Sequence, residues 1–363
     1  MTSASDATPS PRRRLLLVFG GRSSEHEISV RSATEVLQAV DRDRFDVSTL
    51  LISRDGRFLQ GVDGVSLHAI STEEAGSAEP VADLVGYLRG FDVVFPVLHG
   101  TWGEDGTIQG LFEVLGVPYV GSGVLASALC MDKAAFKTHV TSPRLNLPVA
   151  KGVSAEITDA ATLEATARVI AEEVGVPCFV KPANQGSSVG VSKVEREDEL
   201  RDALALAARY DPHVVVERAV DAREFEVAVL GNGGPETKAS RPGEISLPEG
   251  TWYDYDVKYT KDVAVIHIPA KIDEALQAKL QELALETFRA VDCKGLARVD
   301  FLVDKRTGEA FVNEVNTLPG FTSISMYPKM MADAGVPYAE LITTLCELAI
   351  EHHGRRSQVS VTR

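Results

Sequence analysis

Residues 297–316 read Ala-Arg-Val-Asp-Phe-Leu-Val-Asp-Lys-Arg-Thr-Gly-Glu-Ala-Phe-Val-Asn-Glu-Val-Asn. Two runs that alternate apolar and polar residues flank the turn at residues 305–308, and this pattern predicts a β-hairpin. Successive side chains of a strand point to opposite faces, so Arg298 and Asp300 share one face. Glu314 and Asn316 likewise share one face of the second strand. The hairpin therefore gathers a guanidinium, two carboxylates and an amide on one surface.

The chemistry of this surface favours a metal-nucleotide site. Hard oxygen ligands of about this number suit Mg²⁺ that bridges nucleotide phosphates, because Mg²⁺ takes few protein carboxylates and draws its other ligands from phosphate and water. The alternative is an ordinary solvated strand face with a salt bridge, since charged pairs are common on exposed strands. Five apolar side chains are expected to pack against or flank the face: Val299, Phe301, Val303, Val312 and Val315.

A second motif, at residues 181–190, reads Lys-Pro-Ala-Asn-Gln-Gly-Ser-Ser-Val-Gly and follows a predicted strand. Glycine N–H groups, serine hydroxyls and the charge of Lys181 together predict a phosphate cradle. A plain turn is the alternative interpretation. The motif is not a Walker loop, because the chain contains no G-x-x-x-x-G-K-[ST] pattern.

Two N-terminal motifs also end predicted strands. Residues 20–27, Gly-Gly-Arg-Ser-Ser-Glu-His-Glu, open a helix, and a helix N-terminus favours an anionic ligand. The alternative is a capping box, and both can hold if Ser24 and Glu27 cap the helix and Glu25 serves a ligand. His99 lies where ligands bind in open α/β sheets, although it could be merely structural. Lys133, taken alone, favours a solvated surface lysine.

The order of elements predicts several domains. A chain of 363 residues is longer than one core usually grows. Strands alternate with helices in the first 120 or so residues, which predicts an open parallel α/β domain, and a small α+β region follows. Helices are expected at residues 124–138 and 272–292. The expected divisions are a disordered leader (1–13), an N-terminal α/β domain (14–122), a central α+β subdomain (123–221), a C-terminal domain (222–352) with a lid loop at about 236–262, and a tail (353–363). We make no assignment for residues 61–80.

Composition excludes several classes of protein. The net charge of −15 argues against nucleic-acid or anionic-membrane partners, which are held by clustered Lys and Arg. No apolar run approaches the length of about 18 residues that spans a bilayer. The cysteines are scattered and form no C-x-x-C pair, so neither a zinc site nor a disulfide framework is indicated, and the reducing cytoplasm fits best.

Taken in chain order, these motifs resemble the D-alanine–D-alanine ligase family, of ATP-grasp fold, over about residues 15–350. Further stretches carry the resemblance: Leu98-His99-Gly100, Gly121-Ser122-Gly123, Glu217-Arg218, Glu224-Phe225 and the run from Asn316 to Ser325. The resemblance implies a three-domain ATP-grasp protein that combines α/β and α+β domains. It also overrides the surface interpretation of Lys133 and the structural interpretation of His99.

The resemblance implies ATP-dependent joining of two D-alanines through a D-alanyl phosphate, in the synthesis of peptidoglycan precursors. The implied ATP contacts are Lys133, Lys181, Ser187, Ser188, Glu217, Arg218, Val220, Glu224 and Lys258. The implied ligands of two Mg²⁺ or Mn²⁺ ions are Asp300, Glu314 and Asn316, and the use of K⁺ is left open. The implied substrate contacts are Glu25, His99, Arg298, Ser325 and Met326. The implied catalytic groups are Glu25, Ser187 and Tyr259, which form one hydrogen-bonded group, with Arg298 and the Gly320 N–H at the oxyanion.

The choice of substrate is expected to depend on Tyr259. In the family that the chain resembles, a Phe at this position is associated with ligases that use D-lactate, so Tyr259 favours D-alanine. The competing hypotheses are another carboxylate-amine ligase, a D-lactate-using relative, and a non-catalytic module that binds nucleotide or amino acid. The resemblance further implies a homodimer, and small-molecule substrates are the only other partners expected. Tolerance for D-serine is left open.

We predict that Arg298→Ala abolishes turnover while largely keeping affinity for ATP. The guanidinium is expected to stabilise an oxyanion that exists only during the reaction, so its loss affects the chemical step and not nucleotide binding. Steady-state turnover and an ATP-binding titration measure the two effects. Unchanged turnover in this variant would contradict the mechanism.

Overall fold

The computed structural model describes residues 11–61, 78–186, 188–246 and 265–359. In this part of the chain three β-sheets pack against α-helices. The N-terminal sheet has the strand order β4-β3-β2-β1-β5, in which β1 pairs in parallel with β2 and β5. Its elements are β1 (Arg13–Gly20), α1 (His26–Ala39), β2 (Phe45–Ile52), β3 (Phe58–Gln60), β4 (Glu79–Pro80), α2 (Leu84–Leu88), β5 (Val93–Pro96) and α3 (Thr107–Leu115). The predicted parallel sheet is therefore extended at one edge by two short antiparallel strands.

The central region forms an antiparallel sheet of order β6-β9-β7-β8. Its elements are α4 (Val124–Met131), α5 (Lys133–Val140), β6 (Gly152–Glu156), α6 (Ala160–Glu173), β7 (Cys178–Pro182), β8 (Ser192–Val194), a 3-10 turn (Glu197–Glu199), α7 (Leu200–Ala208) and β9 (His213–Arg218). The single helix predicted at residues 124–138 is wrong, because Asp132 is extended and separates two helices. Its carboxylate accepts the Ala135 N–H at 2.9 Å and caps the second helix.

The third sheet has the order β13-β12-β10-β14-β15, with β11 paired to β10. Its elements are β10 (Ala222–Gly231), β11 (Lys238–Ala239), β12 (Gly243–Ser246), β13 (Val265–His267), α8 (Glu274–Ala290), β14 (Gly295–Asp304), β15 (Ala310–Asn316), α9 (Met326–Asp333) and α10 (Tyr338–Ser357). The predicted lid loop already contains β11 and β12, and its remainder from residue 247 lies outside the described residues. Helix α10 continues past residue 352, where the tail was expected to begin.

The N-terminal and C-terminal regions share one hydrophobic core. Leu17 and Phe95 of the N-terminal sheet pack in the same cluster as Leu296 of β14 and Leu345 of α10. A second core under β14 includes residues of α4 and α5, whereas the central sheet packs around a core of its own. The shared core therefore fixes the loops that follow β1 and β5 relative to the β14–β15 hairpin. Among the described residues, no helix has the length and apolar character needed to cross a membrane.

Candidate active site

Strand pairing brings the charged side chains of the hairpin to one face. Asp300 on β14 lies opposite Glu314 on β15, and Arg298 lies opposite Asn316. On the other side of β14, Glu226 of β10 lies opposite Asp300. The predicted hairpin and its shared face are both present, and β10 adds a third carboxylate.

A β-bulge interrupts the hairpin beside this face. Phe301 pairs with Val312, although the residue before Phe301 pairs with Glu314, so Asn313 is an extra residue on β15. A bulge resets the alternation of side chains, which explains why Val312 and Val315 are both buried although they lie three positions apart. Because of the bulge, β15 contributes apolar side chains to the core on one face and polar side chains to the site on the other face.

Arg298 is held between two carboxylates. Its Nε and Nη2 donate to the two oxygens of Asp300 at 2.7 and 2.6 Å, and Nε lies 3.1 Å from the Glu226 carboxylate. Burial alone lowers the pKa of Arg298, but the neighbouring negative charges of Asp300 and Glu226 raise it well above its ordinary value. The guanidinium therefore stays charged and its orientation is fixed.

The same face offers oxygen ligands that fit a divalent metal. Asp300 and Glu314 provide carboxylates and Asn316 an amide, and hard oxygen ligands suit Mg²⁺ or Mn²⁺. Asn316 Nδ2 donates to Asp300 Oδ2 at 3.1 Å, and turning this amide over would present its oxygen at the same point. Within the described residues no three His, Cys, Asp or Glu side chains form a metal cluster, so further ligands would come from phosphate and water.

Two buried lysines share the Glu217 carboxylate. Lys181 Nζ donates to Oε2 at 2.7 Å, and Lys137 Nζ lies 2.5 Å from Oε1. Both lysines therefore form ion pairs with this carboxylate. Burial raises the pKa of Glu217, but the charges of the two lysines outweigh burial and lower it to about 2. Glu217 is therefore ionised at neutral pH.

The surrounding charges affect the two lysines differently. Burial lowers the pKa of Lys137, and the positive charge of Lys181 adds to this. For Lys181, burial also lowers the pKa, but the negative charges of Glu217, Glu314 and Glu224 outweigh it and raise the pKa. Lys181 is therefore the better placed of the two to keep its charge beside an anionic ligand.

Lys133 joins helix α5 to the glycine-serine loop. Its Nζ donates to the Gln185 carbonyl at 2.5 Å, and its backbone N–H donates to the Ala183 carbonyl at 3.1 Å. Ser188 in this loop has a φ of +59°, in the left-handed region. Lys133 therefore contacts the loop that was predicted to cradle phosphate, and Lys181 is the first residue of that motif.

Glu25 lies where the N-terminal region meets the same loop. A Cβ added at Gly100 would lie 2.7 Å from Glu25 Oε2, and one added at Gly186 would lie 3.3 Å from it. Both glycines therefore leave room for this carboxylate. The Glu25 N–H donates to Ser23 Oγ at 3.2 Å, and the residue is buried. A buried carboxylate at this meeting point is suited to a small cationic group.

The predicted capping box at the start of α1 is wrong. Glu25 occupies the N-cap position, and the helix has no side-chain cap. Glu27 instead forms an ion pair with Arg54, which comes from the turn after β2. A charged partner 27 residues away thus displaces the local backbone bond that the sequence spacing suggested.

Both ring nitrogens of His99 make contacts within the protein. Nδ1 lies 3.1 Å from the Leu318 carbonyl oxygen, and Nε2 lies 3.3 Å from Ser32 Oγ. The residue is buried. Its placement at the end of β5 agrees with the prediction, but its hydrogen bonds support the structural interpretation more than a direct contact with substrate.

Ser325 and Gly320 lie together before helix α9. A Cβ added at Gly320 would lie 3.2 Å from Ser325 Oγ. The Ser325 hydroxyl is 2.7 Å from Thr322 Oγ1 and accepts the Thr322 N–H at 3.2 Å. Ser325 is the N-cap of α9 and Met326 its first residue, so the backbone N–H groups there can bind a carboxylate.

Two further predicted ATP contacts follow Glu217 in the sequence. Arg218 is exposed and Val220 half-buried at the end of β9, next to Glu217. Ser187, Lys258 and Tyr259 lie outside the described residues.

Sequence reasoning missed three charged residues of the site. Lys137 follows Lys133 by one helical turn, and Glu226 follows Glu224 by two positions on a strand, so each repeats the spacing of a predicted site residue. Glu104 follows His99 in a polar loop and carried no separate signal. Its carboxylate accepts the Gly100 N–H at 2.7 Å.

The chain matches known proteins along most of its length. Two family models match the chain: D-ala D-ala ligase N-terminus over residues 14–122 and D-ala D-ala ligase C-terminus over residues 143–347. The D-alanine–D-alanine ligase of Shouchella clausii is 44% identical over 96% of this chain and 97% of its own length. That of Deinococcus radiodurans is 47% identical over 94% and 99%.

Solved structures are similar over the same extent. The structure of the D-alanine-D-alanine ligase from Coxiella burnetii has a TM-score of 0.83 at 35% identity, covering 96% of both chains. The VanG D-Ala:D-Ser ligase from Enterococcus faecalis has a TM-score of 0.83 at 36% identity, covering 93% of this chain and 100% of its own.

We predict that Glu217→Gln makes the stability of the protein less dependent on pH in the acid range. Because the pKa of Glu217 is about 2 in the fold against 4.5 ordinarily, its ionised form contributes roughly 3 kcal/mol above pH 5. This contribution is lost as the pH falls from 4.5 towards 2. Urea unfolding of the variant should therefore differ most from the wild type at pH 7 and less at pH 3.5. The exposed control Glu173→Gln should match the wild type at both pH values, and an equal deficit of Glu217→Gln at both would refute the assignment.

Proposed function

The chain belongs to the D-alanine–D-alanine ligase family, and we propose that it joins two molecules of D-alanine into D-alanyl-D-alanine while ATP is converted to ADP and phosphate. The product serves peptidoglycan biosynthesis. A carboxylate resists attack by an amine until one of its oxygens becomes a good leaving group. Transfer of the γ-phosphoryl group to the first D-alanine supplies that leaving group, and the amine of the second D-alanine then displaces phosphate.

The observation that carries the proposal is the meeting of three differently charged regions at one site. Arg298 and Asp300 present a cation and an anion on the hairpin, Lys181 lies near Glu314, and Glu25 approaches the glycine-serine loop from the N-terminal region. Phosphoryl transfer to a carboxylate needs cations near the phosphates and a fixed position for the acceptor. This arrangement would provide both.

The cationic residues Lys133 and Lys181 would contact the ATP phosphates beside the glycine-serine loop. Glu217 uses its carboxylate on Lys181 and Lys137, so the adenine would be met by backbone groups between Glu217 and Val220. Five further residues are proposed to line the nucleotide site: Ser187, Ser188, Arg218, Glu224 near the ribose, and Lys258.

Two divalent ions, Mg²⁺ or Mn²⁺, would be held by Asp300, Glu314 and Asn316. When bound, they would neutralise charge on the transferring phosphoryl group. In their presence the Asp300 carboxylate would be shared between metal and Arg298, which already bonds both of its oxygens.

The amino-acid subsites would lie on either side of the phosphoryl group. Glu25 would bind the ammonium of the first D-alanine, in a group completed by Ser187 and Tyr259, and His99 would lie behind it. The N-terminus of α9 at Ser325 and Met326 would bind the carboxylate of the second. Attack by the second amine creates a tetrahedral oxyanion, which Arg298 and the Gly320 N–H would stabilise.

We also propose that the protein is a cytoplasmic homodimer. The four cysteines are all unpaired thiols buried in the fold, which suits a reducing compartment. Val114 of α3 and Leu125 of the neighbouring α4 are 82% and 67% exposed, and they offer an apolar surface for a second copy. A monomeric mass in sedimentation equilibrium would contradict the dimer.

D-Serine is the strongest alternative for the second substrate, because the VanG D-Ala:D-Ser ligase is as similar in structure as the Coxiella burnetii enzyme. Tyr259 disfavours D-lactate as the second substrate, but it does not disfavour D-serine.

Phosphate release from Mg-ATP, measured with D-alanine, D-alanine plus D-serine, and D-alanine plus D-lactate, tests the proposal. We expect release with D-alanine alone and D-alanyl-D-alanine as the main product by mass spectrometry. Glu25→Gln should raise the KM for D-alanine roughly 10- to 100-fold, since it removes one charged hydrogen bond to an ammonium. Glu173→Gln, an exposed control, should not. Absence of D-alanine-dependent release would refute the function.

A further inference from the structure

In the sequence, Leu318 lies midway between two groups of the proposed site. Asn316, two residues before it, is a proposed metal ligand, and Gly320, two residues after it, is a proposed oxyanion donor. The Leu318 side chain is buried against Gly121, where an added Cβ would lie 3.0 Å from Leu318 Cδ2. Contacts that hold the backbone of Leu318 therefore set the position of the loop that carries Gly320.

His99 binds the Leu318 carbonyl. A carbonyl oxygen can only accept, so the contact of 3.1 Å between His99 Nδ1 and the Leu318 oxygen requires the proton on Nδ1. Nε2 is then the acceptor for the Ser32 hydroxyl at 3.3 Å. Burial lowers the pKa of His99, which keeps the ring in this neutral form. The His99 carbonyl in turn accepts the Ser23 hydroxyl at 2.6 Å, next to Glu25.

Glu104 fixes the residue that follows His99. Its Oε1 accepts the Gly100 N–H at 2.7 Å, and its own N–H donates to the Gly100 carbonyl at 3.0 Å. The nearby backbone N–H groups of Gly100 and Leu318 act to lower the pKa of its carboxyl. Gly100 thus lies between two carboxylates, with Glu104 at its N–H and Glu25 against its Cα. Burial, together with the charge of Glu25, raises the pKa of Glu104 to about 8.

We propose that Glu104 and His99 are positioning residues that together lock the backbone at Leu318. His99 holds the Leu318 carbonyl and Glu104 fixes Gly100, the residue after His99, so the pair holds the Gly320 loop in place relative to the ammonium site at Glu25. This inference rests on the proposed function. The lock joins two loops of the N-terminal region to the loop after the hairpin, although neither residue needs to touch substrate. Since Gly320 serves the oxyanion of the second step, loss of the lock should slow amine attack much more than phosphoryl transfer to the first D-alanine.

The two steps can be measured separately in Glu104 variants. Positional exchange of ¹⁸O between the β,γ-bridge and β-nonbridge positions of ATP, in the presence of D-alanine, reports reversible phosphoryl transfer. Formation of D-alanyl-D-alanine reports the whole reaction. Glu104→Ala should lower the kcat of dipeptide formation roughly 100-fold, as expected for loss of alignment, while isotope exchange and the KM for ATP stay within about threefold of wild type.

Glu104→Gln is the conservative variant, because its amide oxygen can still accept the Gly100 N–H and it is neutral like the protonated carboxyl. It should recover most of the dipeptide rate. Asp105→Asn is the matched control in the same loop, where the carboxylate accepts the N–H groups of Trp102 and Thr107 at 2.7 and 3.0 Å and does not belong to the lock. It should leave the ratio of the two rates unchanged.

Equal loss of both steps in Glu104→Ala, or no loss of either, would overturn the inference. If Glu104→Ala does not fold, His99→Asn, which keeps a donor near the Nδ1 position, and His99→Leu give the same comparison, with the Asn variant expected to be the more active. A wild-type protein that forms no dipeptide would refute the proposed function itself, whereas an active wild type with unaffected variants would refute only the lock.

Discussion

Arg298 and Asp300 form a bidentate ion pair on an interior strand of the third sheet, where their side chains are 19% and 13% exposed. Removing two charges from water costs several kcal/mol for each ion, and a buried pair often stabilises a fold no better than apolar residues of similar volume. Here Glu226 and Asn316 add further contacts to the pair. We propose that the role of the pair is orientation: it would direct a cation towards the oxyanion and a carboxylate towards the metal.

The shared core explains how groups from distant parts of the chain reach this pair with fixed geometry. The N-terminal sheet and the C-terminal region bury their apolar side chains together, so Glu25 and Arg298 belong to one packed unit. The central sheet has its own core and carries Lys181 and the glycine-serine loop. The proposed phosphate and amino-acid contacts would therefore come from separately packed parts of the molecule.

The sequence predicted those features that depend on local periodicity. Alternation along residues 297–316 placed Arg298, Asp300, Glu314 and Asn316 on one face, as the structure shows. The family resemblance supplied the fold, which the comparisons confirm. Contacts between residues that are distant in the sequence could not be predicted from local periodicity. The bond between His99 and Leu318 joins residues 219 positions apart, and local spacing carries no information about it. The Glu27 prediction was wrong for the same reason, because its partner Arg54 becomes a neighbour only when β1 and β2 pair.

The central claim is that the D-alanine carboxylate attacks the γ-phosphate at this site, and an oxygen label tests it directly. If D-alanine carries ¹⁸O at both carboxylate oxygens, the acyl-phosphate route moves one of them to the phosphate that leaves when the amine attacks. We predict one ¹⁸O in each phosphate released, measured by mass spectrometry, together with one ¹⁸O in the new peptide carbonyl. Phosphate that contains oxygen from water in place of the label would contradict the account.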